Sequence, residues 1–96
     1  MQTIKEFINP THKVYFYLKD QATCRRFFQD AEAEGILFGN QLPTSKEPDD
    51  IIALLPSNQL CYLGWVGRLA FRTATEKVIR IDYSKLIEGK PYLITV

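Results

Sequence analysis

Lys13-Val14-Tyr15-Phe16-Tyr17-Leu18 is the stretch on which the fold turns. β-Branched and aromatic side chains dominate it, and such residues fit a pleated, packed surface. It reads as a strand. Its alternation puts Val14, Phe16 and Leu18 on one face and Tyr15, Tyr17 and the flanking lysines on the other, the pattern of a half-exposed sheet. The period then changes. Asp20 offers an N-cap oxygen to a helix running to about Glu34, and Gly35 suits the position just past its end. Inside it, Cys24, Phe27, Phe28 and Ala31 recur at i, i+3, i+4 and i+7 as one apolar stripe. That stripe is expected to pack on Val14 and Phe16. The charges of the helix run against its dipole, with Arg25 and Arg26 nearer the start and acids toward the end. Tertiary ion pairing would account for this; the functional alternative is an exposed basic patch at Arg25-Arg26.

Outward from this unit the signals are shorter. Residues 3–8 can make one helical turn before Asn9-Pro10 stops it. Ile36-Leu37-Phe38 reads as a short strand. Residues 39–50 form a polar loop with Pro43 and Pro48, long for a compact domain and therefore a candidate mobile or functional segment. Residues 50–55 and 60–63 flank Pro56-Ser57-Asn58-Gln59. Pro56 presets a turn and Asn58 tolerates the left-handed region, so this is a β-hairpin. Residues 64–75 are ambiguous between helix and strand. Helix is favoured because Val66, Leu69 and Ala70 are spaced i, i+3 and i+4. Residues 78–83 alternate as a strand. Ser84 is placed to cap a turn over residues 85–88, closed by Gly89 and Pro91, and residues 92–96 add an edge strand. The expectation is a single α+β domain over residues 1–96. One main helix packs on a mainly antiparallel sheet of four to five strands, with short helical turns.

Composition narrows the function classes. Hydrophobic residues make up 46% and charged residues 24% of the 96, enough apolar material for a core and too little charge for disorder. Twelve Lys and Arg against eleven Asp and Glu argue against both a dedicated DNA-binding domain and an acidic DNA mimic. Cys24 and Cys61 form no CxxC, and His12, the single histidine, cannot complete a zinc set with them. No apolar run approaches bilayer length, and the first residues lack a signal-peptide core. The expected compartment is the cytoplasm, with both thiols reduced and buried and no membrane partner.

Catalytic signals are sparse. His12 sits in a turn after Pro10, and no Ser or Cys has an identifiable partner base. Asp49-Asp50 is a carboxylate pair, but neighbours on a strand point to opposite faces, so capping or edge protection explains it more simply. Glu32 and Glu34 do not face each other on a helix. No P-loop or dinucleotide fingerprint appears. Gly64-Trp65-Val66-Gly67 matches the GxxG of a KH domain, but a KH loop joins two helices and is basic, whereas this one follows a strand. The expectation is a non-enzyme without a cofactor or metal.

The most suggestive constellation is Tyr62, Trp65, Arg68, Phe71 and Arg72. Aromatic rings stack on bases, arginines grip phosphate or carboxylate, and Trp, Tyr and Arg are the usual anchors of protein interfaces. The bland reading makes Trp65 and Phe71 core and leaves the arginines solvated. The binding residues expected from this set are Tyr62, Trp65, Arg68 and Arg72. No acid lies between Gly64 and Thr75, which points the two arginines at an outside anion unless a distant Asp or Glu folds back onto them.

The segments Asp50-Ile51-Ile52-Ala53-Leu54, Cys61-Tyr62-Leu63-Gly64-Trp65-Val66-Gly67 and residues 79–89 resemble small uncharacterised proteins of Gram-positive bacteria and their phages, a likeness spanning about residues 12–92. No activity is assigned to that group, so no residue takes a role from it. The resemblance implies a small accessory protein that acts by binding something in the host, defence machinery included. The leading expectation is a binding module that modulates a partner protein, in its sharpest form an inhibitor of a bacterial defence system. The runner-up is a nucleotide or oligonucleotide binder in which Tyr62 and Trp65 stack and Arg68 and Arg72 neutralise phosphate. The third is a small enzyme.

Overall fold

A computed structural model describes residues 2–73 and 78–95. The strand expected at the outset is β1, Lys13–Tyr17, and the helix after it is α1, Gln21–Ala33. The Asp20 carboxylate accepts from Thr23 N at 2.7 Å and from Thr23 Oγ1 at 2.7 Å, so the cap engages as its residue type requires. Gly35 follows the helix at φ +78°, the left-handed geometry that ends it. β2, Leu37–Phe38, is brief. The long loop after it is docked: a 3-10 turn over Pro43–Ser45 buries Pro43, and Thr44 Oγ1 donates to Glu32 at 2.7 Å.

β3, Ile51–Leu55, and β4, Gln59–Tyr62, form the hairpin, with Asn58 at φ +65° in its turn. The ambiguous segment is a helix, α2, Trp65–Thr73; the remainder of that expected segment lies outside the described residues. β5, Val78–Asp82, leads straight into α3, Tyr83–Glu88. The cap of α3 is Asp82 rather than Ser84. The Asp82 carboxylate accepts from Lys85 N at 3.4 Å, and Ser84 Oγ donates to it at 2.7 Å. Of the expected last strand, one antiparallel bridge from Leu93 to Ile81 is present, with Asp82 N donating to Tyr92 O; Val96 lies outside the described residues.

The fold is α+β, built on a five-stranded mixed sheet of order β2-β4-β3-β1-β5. The centre is antiparallel, β1 against β3 and β3 against β4. Each flank adds a strand in parallel, β2 on β4 and β5 on β1. On one face Phe27 lies 4.8 Å from Phe16, and Cys24, Phe28 and Ala31 bury with Val14, Phe16, Ile52 and Leu60, the helix-on-strand contact expected from the stripe. The other face is not half-exposed as expected. α2 covers part of it, and Tyr15, Ile51 and Ala53 form a second buried cluster with Ala70 and Phe71 packed against it. The sheet is therefore sandwiched, because α2 leaves β4 on the side opposite α1.

The acids of α1 that run against its dipole all have tertiary partners. Glu34 accepts from Ile4 N and Lys5 N, each at 2.9 Å, tying down the N-terminal turn Ile4–Phe7. Glu32 holds the loop through Thr44. Asp30 pairs with Arg26 and accepts from the buried Tyr83 hydroxyl, joining α1 to α3. Half of the supposed Arg25-Arg26 patch is thus neutralised within the chain, because Arg26 lies one turn before Asp30.

Candidate functional site

α2 carries the residues singled out in the sequence, and its two sides do different things. Gly67, Ala70 and Phe71, spaced i, i+3 and i+4, turn toward the sheet. A Cβ at Gly67 would lie 3.1 Å from Leu63 Cγ, so glycine there lets the helix settle on Leu63. Phe71 packs beside Tyr15 and Tyr17, each at 6.4 Å, with the Arg80 guanidinium 5.6 Å from its ring. The stripe that argued for helix, Val66, Leu69 and Ala70, is therefore split: Ala70 packs inward and the other two lie outside.

The outer side is apolar and open. Trp65 is 79% exposed, Val66 70% and Leu69 46%, and no residue of α2 is fully buried. Trp65, Leu69 and Arg72 stand at i, i+4 and i+7, and Arg72 is exposed as well. Sequence reasoning named Trp65 and Arg72 as binding residues, but used Val66 and Leu69 only as evidence for a helix. A helix apolar on two sides gives no periodic sign of which side faces the sheet; Gly67 was the available clue.

Arg68 is not turned to an outside anion. Its Nη2 donates to Asp49 at 2.9 Å and its Nη1 to Asp50 at 2.9 Å, so two acids from before β3 fold back onto it. These hydrogen bonds and the two negative charges raise the guanidinium pKa further. Burial acts to raise the Asp50 carboxyl, but its contacts with Asp49 and Arg68 outweigh this and hold it below the usual carboxylate range. The acid pair expected to cap or guard an edge, with its members on opposite faces, instead converges on one cation. The pairing closes α2 onto the start of β3.

Tyr62 is separated from α2 by the sheet. It pairs across from Ile52 and packs on Phe38 at 4.7 Å, on the α1 side. Its hydroxyl donates to Glu47 O at 2.7 Å, and Lys46 lies 5.8 Å from its ring. Burial and nearby acidic groups push its phenol pKa up, against the Glu47 hydrogen bond. Tyr62 and Trp65 thus form no common stacking platform. Of the four residues expected to bind, the structure brings Trp65 and Arg72 onto one open surface, with Val66 and Leu69; Tyr62 and Arg68 work elsewhere.

Among the described residues, no group of three or more His, Cys, Asp or Glu is placed to hold a metal, and no helix is long and apolar enough to cross a membrane. His12 sits in its turn with Nδ1 2.8 Å from Thr11 Oγ1. Both cysteines are free thiols; Cys24 is buried, whereas Cys61 is only half-buried, contrary to expectation. The chain matches no known protein-family model, and neither curated proteins nor solved structures yield a significant match.

Proposed function

We propose that this protein is a binding module that presents the outer side of α2 to an apolar groove on a partner protein. One observation carries the reading: Trp65, Val66 and Leu69 are exposed together on a helix whose other side is already packed. An amphipathic helix engages a groove through anchors at i and i+4, here Trp65 and Leu69, with Arg72 one turn on. Trp and Arg are the residues that most often dominate interface energy. A heterologous partner is favoured over a second copy. The open side of the described part of α2 carries Arg72 and no acid, so a twofold self-contact there would bring Arg72 toward its own copy. A groove flanked by carboxylates complements it.

The nucleotide reading is weaker on geometry, because Arg68 is occupied by two carboxylates and Tyr62 lies across the sheet from α2. The sharper form of the protein-binding reading, an inhibitor of a bacterial defence system, draws on the sequence resemblance alone. The test is to place a photo-crosslinking amino acid at position 65, identify the captured protein and purify it. Its affinity is then measured for the native chain and for Trp65→Ala/Leu69→Ala. Losing a central tryptophan removes at least about 2 kcal/mol, roughly thirtyfold in Kd. Equal affinity of the double variant, or sedimentation showing that α2 instead mediates a homodimer, would reject the reading.

A further inference from the structure

α2 covers only part of its sheet face. Between its first two turns and the β3–β4 hairpin lies a cleft of about 400 Å3, within the usual range of small-molecule sites, roughly 300–1,000 Å3. Its floor is the row Tyr15, Ala53 and Cys61, which stand abreast on three neighbouring strands. The hollow exists because a methyl group sits between a tyrosine and a thiol. Leu55 and Leu63 wall it, and Gly64 and Gly67, lacking side chains, keep the helix end of the wall open.

Two features give this apolar cleft a chemical preference. First, Tyr15 lines it at 3% exposure, and its hydroxyl has no hydrogen-bond partner among the described residues. Burial, with the Cys61 thiol beside it, pushes the phenol pKa up, so the group stays a neutral donor, open to an acceptor that enters the cleft. Second, the charge is one-sided. Lys13 lies two residues before Tyr15 on the same strand face, His12 adjoins it, and none of the described lining residues is Asp or Glu.

We propose that this cleft binds a small aryl carboxylate, its ring on the Tyr15–Ala53–Cys61 row and its charge toward Lys13. The apolar walls suit a flat ring, the open hydroxyl supplies a donor, and the absence of lining acids admits an anion. The site is separate from the outer side of α2, since Trp65, Val66 and Leu69 do not line it.

Cys61 on the floor is a built-in reporter, and Cys24, sealed in the other core, is its control. The experiment titrates 2-naphthoate, and in parallel the uncharged naphthalene-2-carboxamide, into the native chain. Iodoacetamide modification of each cysteine is followed by mass spectrometry at mildly alkaline pH. Saturating naphthoate is expected to slow modification of Cys61 about tenfold or more and leave Cys24 unchanged, with the amide clearly weaker. Cys61→Phe should fill the floor and abolish naphthoate-induced shifts of the Leu63, Gly64 and Gly67 amides. Lys13→Glu, at an exposed position where folding should survive, should weaken binding about fivefold or more. Trp65→Ala/Leu69→Ala should bind naphthoate as the native chain does, so failure of the partner-binding reading would not touch this one. No protection of Cys61, equal protection by the two probes, or binding lost in the α2 variant but kept in Lys13→Glu would overturn the proposal.

Discussion

Arg68→Ala removes the guanidinium that closes α2 onto the start of β3. Two bonds go, Nη1 to Asp50 and Nη2 to Asp49, each 2.9 Å long. They are partly exposed: the side-chain accessibilities are 34% for Arg68, 32% for Asp49 and 57% for Asp50. Solvent screening therefore keeps each near the value of surface pairs, about 0.2–1 kcal/mol. The substitution also leaves two adjacent carboxylates without a cation. The expected loss is about 1–2 kcal/mol, and at about 4–8 °C per kcal/mol for a chain of this size the melting temperature should fall by about 4–16 °C. Circular-dichroism melts at low salt measure it, and added salt should shrink the gap. Asp49→Asn in the Arg68→Ala background should recover part of the loss, with a coupling of about 0.5–1 kcal/mol in the double-mutant cycle. The acid side supplies a second check. Asp50 titrates below its ordinary value in the folded chain, so its contribution is present above the unfolded carboxylate pKa and lost as pH falls through the lower folded one. The difference between native and variant chains should therefore close below about pH 4. A variant that melts within about 2 °C of the native chain at low salt, with no coupling to Asp49, would refute the clamp and return Arg68 to the pool of partner-binding cations.

Phe27 is fully buried, with Phe16 at 4.8 Å and Tyr83 at 4.9 Å, so Phe27→Ala should cost about 3–5 kcal/mol and either prevent folding or lower the melting temperature more than Phe28→Ala does. Tyr83→Phe deletes the bond to Asp30 and should cost about 1–2 kcal/mol by urea denaturation, below the full value of a bond to a charged group because Asp30 keeps Arg26. Burial, then the Asp30 bond and charge, raise the Tyr83 phenol pKa well above its ordinary value. Its contribution is therefore full below about pH 10 and lost as pH rises further, and Tyr83→Phe should show a shallower alkaline loss of stability. In thiol titration of the native chain Cys61 should react and Cys24 should not; both should titrate after unfolding without reductant, and fewer than two would contradict the free thiols.

Much of the fold was legible because its signals are local. Asp20 caps α1 three residues from the amide it serves, Gly35 ends the helix at positive φ, and Asn58 takes the left-handed turn of the hairpin. Each is a demand that one residue type meets within its own few neighbours. The stripe Cys24, Phe27, Phe28 and Ala31 likewise named its burying face, because α1 is apolar on one side only. α2 has apolar residues on two sides, and there periodicity could not choose. The sheet did, by accepting Gly67, Ala70 and Phe71 and leaving Trp65, Val66 and Leu69 outside.

The same distinction runs through the candidate site. The exposed tryptophan and the arginine about two turns later were readable as interface residues from their type. Their grouping with Tyr62 and Arg68 was not, since it depends on which sheet face each element takes. Arg68 meets carboxylates 18 and 19 residues earlier in the chain, and Tyr83 meets Asp30 across 53 residues. Local sequence thus determined the strand, the main helix with its caps, the hairpin and the α+β class, through backbone preferences that act over one or two turns. Tertiary structure alone decided the parallel flanks, the second buried face, the closure of α2 by Asp49 and Asp50, and the cleft above Ala53. Each of these is a contact between distant segments, and such contacts carry no fixed spacing by which a sequence could announce them.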